Sequence, residues 1–251
     1  MSSNTLKIKS NVKHESEAVD PPDSKIDRET SIKYWNDVPA TPNGMLAMLG
    51  GYPWYSRIDL QGSKTFLAKA RRLILACSPE GKLKLGVDCG SGIGRVTQGF
   101  LSHVCEVVDA VDPVEKYTRV LRDGPLKRYG IIGDIYTMGL ENWEPDKKYD
   151  LIWTQWCVGH LTDLQLVNYV ARCRTALTET GIMVVKENIS TNPYGEDMYD
   201  DLDSSVTRTD EKFRNIFKEA GMNLIWSEVQ SGFPKTFKLL PVRSYALRVR
   251  T

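Results

Sequence analysis

Apolar residues recur every three or four positions in several segments of the chain, as they do between Phe66 and Ile74. Such spacing gives a helix one apolar face, so each of these segments predicts an amphipathic helix. The predicted helices are Ser63–Cys77, Val96–His103, Val114–Leu121, Leu164–Leu177 and Asp210–Ala220. Ser63 and Asp210 are candidate N-caps, and Gly221 is a candidate helix stop.

Short apolar runs rich in β-branched and aromatic residues lie between these segments and predict strands. They are Lys84–Asp88, Glu106–Val111, Tyr129–Ile132, Tyr149–Thr154, Ile182–Val185, Asn223–Glu228 and Ser244–Arg248. Strands that alternate with helices are joined by crossover connections, which makes their sheet parallel and covers both of its faces. The pattern therefore predicts a doubly wound α/β domain with a mostly parallel sheet.

The first residues of the chain depart from this pattern. Residues 1–28 mix Lys, Ser, Asp and Glu with two prolines and contain few large apolar side chains. Burial cannot offset the entropy of ordering such a segment. We therefore expect a disordered tail over 1–28 and one folded domain over 29–251, which opens with an extension ahead of the sheet.

Composition narrows the class of protein. The 251 residues carry a formal net charge of +1, so no global field draws the chain to nucleic acid or to an anionic membrane. The five cysteines include no Cys-x-x-Cys pair, which disfavours a structural zinc or a disulfide framework. We expect a protein without metal, nucleic-acid or membrane partners in a reducing compartment, the cytoplasm first and the nucleus second.

A glycine-rich turn follows the first predicted strand, in Asp88-Cys89-Gly90-Ser91-Gly92-Ile93-Gly94-Arg95. Arg95 stands where a dinucleotide fingerprint would have its third glycine, which argues against NAD. The next strand ends at Asp112, where a carboxylate can accept hydrogen bonds from both hydroxyls of a ribose. An adenosine ligand without phosphates, with Arg95 available for a carboxylate, fits S-adenosylmethionine (SAM). The alternative is a tight turn in which Asp112 binds a helix amide.

The segment 154–163 follows the fourth predicted strand and opens on the same edge of the sheet. It supplies the amide of Gln155, the indole of Trp156 and the imidazole of His160. A histidine titrates near neutral pH, so His160 can take a proton from an amine. A structural hydrogen bond for His160 and a core position for Trp156 are the alternatives.

Carboxylates are concentrated after the fifth strand. They are Glu196, Asp197, Asp200, Asp201 and Asp203. Their negative field would attract a cationic substrate, although a solvated loop is an alternative interpretation. Asn188 and Asp203 flank this stretch and can present an amide and a carboxylate to an amine.

Together with Tyr34-Trp35 and Met48-Leu49-Gly50-Gly51-Tyr52, these blocks resemble the protein α-N-terminal methyltransferase family. Its members are class I SAM-dependent enzymes that methylate the exposed α-amine of chains beginning Xaa-Pro-Lys or Xaa-Pro-Arg. The resemblance runs from about Tyr34 to Arg248. The diagnostic blocks are Gln155-Trp156-x-x-Gly159-His160-Leu161-Thr162-Asp163 and Asp200-Asp201-x-Asp203-Ser204-Ser205-Val206. The resemblance also rests on Lys186-x-Asn188 and Ser244-Tyr245-Ala246-Leu247-Arg248.

The resemblance implies a role for each candidate residue. SAM is expected to contact Gly90, Arg95, Asp112, Pro113, Val114, Asp134, Ile135 and Gln155. The substrate peptide is expected to contact Trp35, Leu49, Gly50, Trp156, Asp200 and Ser205. His160, Asn188 and Asp203 are expected at the reacting amine.

The resemblance also implies the fold and the partners. The expected fold is a Rossmann-like sheet of seven strands with an N-terminal helical extension. The expected protein is a monomer that uses SAM, releases S-adenosylhomocysteine (SAH) and acts on protein N-termini, with ribosomal proteins as candidate substrates.

Two segments depart from the family pattern. Gly44–Gly51 is longer than the corresponding segment of animal members, and Phe237–Pro241 replaces an expected tyrosine beside the substrate. The shape of the substrate side is therefore left open.

Two other functions fit part of the pattern. One is a small-molecule methyltransferase acting on a cationic amine, against which the N-terminal aromatic and glycine segments argue. The other is a non-catalytic module that binds SAM or a peptide terminus, against which His160, Asn188 and Asp203 argue.

Overall fold

A computed structural model describes residues 20–49, 52–74 and 81–249, which are organised around a central β-sheet. The strands are β1 (Leu83–Cys89), β2 (Cys105–Val111), β3 (Ile132–Tyr136), β4 (Tyr149–Gln155), β5 (Leu177–Asn188), β6 (Met198–Asp200), β7 (Ser205–Thr207), β8 (Met222–Val229) and β9 (Val242–Val249). The helices are α1 (Arg28–Asp37), α2 (Pro53–Arg72), α3 (Ser102–Val104), α4 (Glu115–Asp123), α5 (Pro125–Arg128), α6 (Asp163–Ala176) and α7 (Asp210–Glu219).

The seven-stranded sheet has the order β3-β2-β1-β4-β5-β9-β8. β1 pairs in parallel with β2 and β4, whereas β9 runs antiparallel to both of its neighbours. From β1 the chain proceeds outward to β2 and β3 and then returns to form β4 on the other side. This reversal leaves a crevice at the carboxyl ends of β1 and β4, where ligands of such sheets bind. The predicted doubly wound, mostly parallel α/β fold is confirmed.

Two buried clusters cover the two faces of the sheet. Successive side chains of a strand point to opposite faces, so Leu151 and Trp153 of β4 pack on one side and Ile152 on the other. Phe66 of α2 belongs to the first cluster, and Tyr169 of α6 belongs to the second. The sheet is therefore held between α2 on one face and α6 with α7 on the other.

Several predicted boundaries were wrong. The third strand begins at Ile132, because Tyr129 and Gly130 form a turn in which Gly130 has φ 71°. Ser63 is not an N-cap, because α2 begins ten residues earlier at Pro53, whose fixed φ suits a first helical position.

Three further differences concern the ends and the kind of element. Thr209, rather than Asp210, caps α7, and its hydroxyl accepts from the Lys212 amide at 3.1 Å. The predicted helix over 96–103 contains a π-helix at Thr97–Leu101 that continues into α3. The small hairpin of β6 and β7 was not predicted, because two three-residue strands give too short an alternation to detect.

The expected disordered tail extended too far. Residues 20–28 are described, and they include a 3-10 helix at Pro22–Lys25. The Asp27 carboxylate caps α1 by accepting from the Thr30 amide at 2.8 Å, and its own amide donates to Ser204 Oγ at 2.7 Å. These polar contacts supply the order that apolar burial could not. The rest of the predicted tail, 1–19, lies outside the described residues.

Candidate active site

A cavity lies at the carboxyl ends of β1 and β4, under the N-terminal extension. Its wall includes residues from α1, from the glycine turn, from the start of α4 and from the loop after β4. Of the predicted site residues, the wall contains Trp35, Gly90, Arg95, Asp112, Pro113, Val114, Gln155, Trp156 and His160. The fold therefore brings most of the predicted cofactor residues and part of the predicted substrate residues to one cavity.

The glycine turn needs its glycines for two reasons. Gly90, Gly92 and Gly94 have φ of 73°, 53° and 84°, in the left-handed region that other residues rarely adopt. A Cβ on Gly90 would also lie 2.5 Å from the Cβ of Cys157, which is closer than real atoms approach. The turn thus lies directly against the loop after β4. Ser91 Oγ is buried beside the cavity, with no hydrogen-bond partner among the described residues.

Asp112 both lines the cavity and binds backbone amides. Its carboxylate accepts from the Gly92 amide at 2.8 Å and from the Val114 amide, at the entrance to α4, at 2.9 Å. Burial raises the pKa of Asp112 to about 6, although the two amides oppose that rise. The two sequence interpretations of Asp112 are therefore compatible: the amides fix a carboxylate that also faces the ligand cavity.

Arg95 and Gln155 are fixed by a residue that sequence reasoning missed. Asp59, on α2, is fully buried and accepts from Arg95 Nη1 at 2.8 Å and from Gln155 Nε2 at 3.0 Å. Arg95 was expected to be free for a carboxylate, but this nitrogen is already paired. The guanidinium also lies over the Trp156 ring, 5.5 Å from its centroid. Asp59 escaped detection because it precedes the predicted start of its helix.

Two predicted cofactor residues lie away from the cavity wall. Asp134 is exposed, and its carboxylate forms an ion pair with Lys147 at 2.5 Å. Ile135 packs beside the small cluster that contains Ala110 and Leu121. Both precede the end of β3, whereas a ligand meets residues beyond the strand end. The wall contains Gly139, Leu140 and Glu141 beyond the end of this strand, whereas Asp134 and Ile135 lie outside it.

His160 is bonded to α1 through both ring nitrogens. Trp35 Nε1 donates to His160 Nε2 at 3.0 Å, and His160 Nδ1 lies 3.2 Å from Ser31 Oγ. An indole can only donate, so Nε2 carries the lone pair and Nδ1 the proton. Burial lowers the pKa of His160 below its ordinary value, although Asp203 opposes that shift. The imidazole is therefore neutral at neutral pH.

Trp156 lies in the cavity wall and has a strained backbone conformation. It is one of three non-glycine residues with positive φ among the described residues, with φ 53°. Its ring stacks on Tyr55 with centroids 6.1 Å apart, so it is a cavity residue rather than a core residue. Its Nε1 is buried without a partner among the described residues, as is Asp203 Oδ1. Unpaired buried polar atoms are costly, so both atoms indicate where a polar ligand is expected.

The loop that carries Trp156 and His160 is held by Glu187. One oxygen of this buried carboxylate accepts from the Cys157 amide at 2.7 Å and from the Val158 amide at 3.1 Å. Burial raises the pKa of Glu187 to about 7, against the effect of these amides. Glu187 therefore positions the loop after β4 from the end of β5.

Four other predicted residues are not part of the cavity wall: Asn188, Asp200, Asp203 and Ser205. Asn188 ends β5, whereas Asp200 and Ser205 belong to the hairpin of β6 and β7, with Asp203 in its turn. The hairpin contacts α1, because Ser31 Oγ donates to the Asp203 carbonyl at 3.0 Å. Leu49 lies in a described 3-10 helix but its side chain is not described, and Gly50 lies outside the described residues.

Only some of the acidic stretch behaves as a solvated loop. Asp200 and Asp201 are exposed, whereas Asp197 is partly buried and accepts from the Thr209 amide at 2.8 Å. The negative field of this stretch therefore comes mainly from Asp200 and Asp201, which are close in sequence to Asp203. Among the described residues, no group of side chains has the arrangement of a metal site, and no helix is long and apolar enough to cross a membrane.

Phe237, in one of the two segments that depart from the family pattern, belongs to an aromatic cluster. Phe237 lies 5.1 Å from Tyr52 and 5.2 Å from Trp54, measured between ring centroids. Trp54 in turn contacts Tyr55, which stacks on Trp156. Aromatic rings therefore extend from the cavity to the surface on this side of the molecule.

A crevice with a glycine turn, an acidic residue after β2 and no phosphate-binding pattern defines a class I SAM-dependent methyltransferase. A family model for AdoMet-dependent proline di-methyltransferases matches residues 8–248. The chain belongs to this family.

Curated relatives support the assignment. Alpha N-terminal protein methyltransferase 1 of Schizosaccharomyces pombe is 40% identical over 221 residues, covering 86% of this chain and 94% of the relative. N-terminal Xaa-Pro-Lys N-methyltransferase 1 of Xenopus tropicalis is 38% identical over 221 residues, covering 86% and 92%.

Solved structures show the same fold. A SAM-dependent methyltransferase of Leishmania major superposes with a TM-score of 0.75 at 30% identity, covering 88% of this chain and 82% of that one. The N-methyltransferase NodS of Bradyrhizobium japonicum, in complex with SAH, superposes with a TM-score of 0.64 at 13% identity, covering 88% and 100%, which shows the shared fold alone.

Proposed function

We propose that this enzyme transfers methyl groups from SAM to the α-amine of proteins that begin Xaa-Pro-Lys or Xaa-Pro-Arg. The observation that carries the proposal is the neutral His160 in the wall of the glycine-turn cavity, within electrostatic range of Asp203, whose Oδ1 is buried without a partner among the described residues. The names of the curated relatives support the same substrate class.

The residues of the cavity have separate tasks. Gly90, Asp112 and Arg95 hold SAM, which supplies an electrophilic methyl group when bound. An α-amine has a pKa of about 7.7–8.0, so at neutral pH most substrate termini arrive protonated and must lose a proton before attack. The enzyme therefore needs a proton acceptor beside the amine.

Asp203 and His160 are the two candidate acceptors. Asp203 Oδ1 has no partner among the described residues and attracts the ammonium form. His160 Nε2 already accepts from Trp35, so it becomes available only when the indole moves. We infer that Asp203 meets the amine first and that His160 receives the proton after Trp35 has shifted towards the substrate. Asn188 orients the amine or the first carbonyl.

The second and third substrate residues fit the surroundings. Proline has no amide proton and a fixed φ, so the faces of Trp35 and Trp156 can cover its ring without burying an unpaired donor. The exposed carboxylates of Asp200 and Asp201 provide the charge that attracts the following Lys or Arg. Ribosomal proteins with such termini are candidate substrates.

Mass spectrometry after incubation with SAM tests the proposal. A peptide beginning Xaa-Pro-Lys should gain mass in steps of one methyl group, and the same peptide with an acetylated α-amine should remain unchanged because the nucleophile is gone. Methylation of free amines instead would identify a small-molecule enzyme. Tight peptide binding without methyl transfer would identify a non-catalytic module.

A pair of hairpin variants tests whether Asp203 holds the reacting amine. Asp203→Asn should lower kcat by about 10²–10⁴-fold, the usual contribution of acid–base catalysis, because the amine would no longer be held for proton transfer to His160, and SAM affinity should change little. Asp201→Asn removes a neighbouring but exposed carboxylate, so it should raise the Michaelis constant for the peptide and retain kcat. Equal losses in both variants would mean that the hairpin supplies only a general field.

A further inference from the structure

Beneath the cavity lies a buried cluster of charges that contains Asp59. Asp59 and Lys186 have fully buried side chains, and Arg95 is 11% exposed. The Asp59 carboxylate accepts from Lys186 Nζ at 2.5 Å, in addition to its bonds with Arg95 and Gln155. The three donors come from three different parts of the chain. Asp59 is therefore the common acceptor that fixes them relative to one another.

The remaining contacts show that the cluster is built for a fixed geometry. Lys186 Nζ also donates to the Asp59 carbonyl at 3.0 Å and to Ser63 Oγ at 2.8 Å. Gln155 Oε1 accepts from Trp153 Nε1 at 3.0 Å. The side-chain amide of Gln155 is thus used inside the protein, and its side chain cannot turn to a ligand without breaking these bonds. Of the three charged residues in the cluster, Arg95 is the one that lines the cavity.

The buried charge of the Asp59 carboxylate explains why two cations, Lys186 and Arg95, lie beside it. Burial alone would raise the pKa of Asp59, but Lys186 and Arg95 hold it below its ordinary value. Lys186 stabilises the carboxylate from the side away from the cavity, and Arg95 does so from the cavity side. Asp88 lies within electrostatic range of Arg95, but its carboxyl accepts from Thr97 Oγ1 at 2.6 Å. Asp59 is therefore the acid that directly orients Arg95.

We infer that Asp59 is a positioning residue for recognition of the carboxylate of SAM and SAH, and that it acts by holding the Arg95 guanidinium. The inference rests on the proposed function, in which Arg95 meets that carboxylate. With Nη1 fixed by Asp59 and by Ser56 Oγ at 3.2 Å, the guanidinium keeps one orientation over Trp156 and presents its remaining N–H groups to the ligand. A pre-oriented guanidinium loses less freedom on binding, which strengthens its hydrogen bonds to a carboxylate.

Calorimetric titration with two ligands tests this role. SAH carries the carboxylate, whereas 5′-methylthioadenosine keeps the adenosine and the sulfur but lacks the amino-acid group. Asp59→Asn should weaken SAH binding by about 10- to 100-fold, as expected for lost hydrogen bonds to a charged group, and should leave 5′-methylthioadenosine within about threefold. Equal weakening of both ligands, or unchanged SAH binding, would overturn the inference.

A double-variant cycle tests whether Asp59 acts through Arg95. If it does, Asp59→Asn should add almost nothing to the loss of SAH affinity already caused by Arg95→Gln. Independent, additive losses would show that Asp59 has no such role. If SAH failed to bind the unaltered enzyme, the proposed function itself would fail, so the two failures are distinguishable.

Two variants separate this role from a general loss of stability. Asp109→Asn removes another fully buried carboxylate that is paired with a lysine, Lys147, at 2.7 Å, but it is not part of the cavity wall. It should lower the unfolding temperature and leave the SAH affinity unchanged. In Asp59→Asn/Lys186→Met, the buried cation is removed together with its partner. This double variant should recover stability relative to Asp59→Asn without recovering the affinity for SAH.

Discussion

At the scale of single residues, His160 shows how burial prepares a side chain for chemistry. Its lone pair on Nε2 is held by the Trp35 indole, and burial lowers its pKa. The same contact that covers the imidazole keeps it unprotonated. In the proposed reaction, His160 accepts the proton once the indole gives way to the substrate amine.

The lowered pKa of His160 makes stability depend on pH in a defined direction. In the unfolded chain His160 binds a proton when the pH falls below about 6.5, its ordinary pKa, whereas in the folded chain it resists protonation. The contribution of His160 to the free energy of unfolding is therefore present above that pH and is lost as the pH falls below it. When the pH is lowered from 7.5 to 5.5, the unfolding temperature of His160→Gln should therefore fall by less than that of the unaltered enzyme.

His103 provides the control for this measurement. It lies in α3 with an exposed ring, and its Nδ1 is 3.3 Å from Ser102 Oγ. His103→Gln should follow the unaltered enzyme at both pH values. If His160→Gln did so as well, the pH dependence would arise from other groups and the imidazole would not be held neutral by burial.

At the scale of elements, α1 connects α4 with the hairpin of β6 and β7 and with the loop after β4. One end of it contacts the hairpin turn through Ser31, and Trp35 contacts His160. Towards its other end, the Trp35 carbonyl accepts from Tyr117 Oη, on α4, at 2.6 Å. The helix thus lies between the residues proposed to hold the cofactor and those proposed to receive the amine.

Removing the Tyr117 hydroxyl tests whether α4 holds α1 in place. Tyr117→Phe removes the bonds to the carbonyls of Trp35 and Val38, which should cost about 1 kcal/mol of stability and speed amide exchange across 28–37. The Michaelis constant for the peptide should rise because α1 supplies Trp35.

Tyr149→Phe is the matched control for this change. Its hydroxyl donates to the buried Asp109 at 3.0 Å, away from α1. It should also lower stability, but exchange across 28–37 and the Michaelis constant should be unchanged. The same increase in exchange in both variants would mean that α1 responds to overall stability rather than to Tyr117.

The strength of local patterns decided which elements could be predicted. β4 and α6 carry unbroken apolar patterns, and both were found within two residues of their bounds. The beginning of α2 was missed because Pro53, Trp54 and Tyr55 show no helical spacing. The segment 20–28 was missed because its order comes from single polar contacts with residues more than a hundred positions away.

The same reasoning applies to the candidate site. Gly90, Asp112 and Gln155 were found because a strand end followed by polar or glycine residues is a local signal. Asp59 has its partners at the ends of other strands, so no local pattern indicates it. Gly139 to Glu141 were missed because β3 ends later than its apolar run suggests.

At the scale of the whole molecule, the ligand cavity joins parts of the chain that are distant in sequence. A ligand that binds only the folded state therefore stabilises the entire domain. At a hundred times its dissociation constant, SAH should add about 2.7 kcal/mol to the free energy of unfolding and raise the unfolding temperature.

Two glycine variants show whether this stabilisation arises at the glycine turn. Gly90→Ala should abolish the SAH-induced rise in unfolding temperature, because its Cβ would displace Cys157. Gly130 has almost the same φ as Gly90, 71° against 73°, but a Cβ at Gly130 would meet nothing within 4 Å, so Gly130→Ala is the matched control. It should cost about 1–2 kcal/mol of strain and keep the full response to SAH. A retained response in Gly90→Ala would remove the turn from the site.

The position of β9 has a consequence for how this enzyme is made. β8 joins the sheet only through β9, which is inserted between β5 and β8 although it is later in sequence than both. During synthesis, the strand that carries Asn188 at its end must wait for residues 242–249 before it acquires its outer neighbour. Because chains fold as they emerge from the ribosome, this edge of the sheet is completed only after β9 has been made. A chain synthesised only as far as β8 therefore lacks the strand that pairs with β5 on this side.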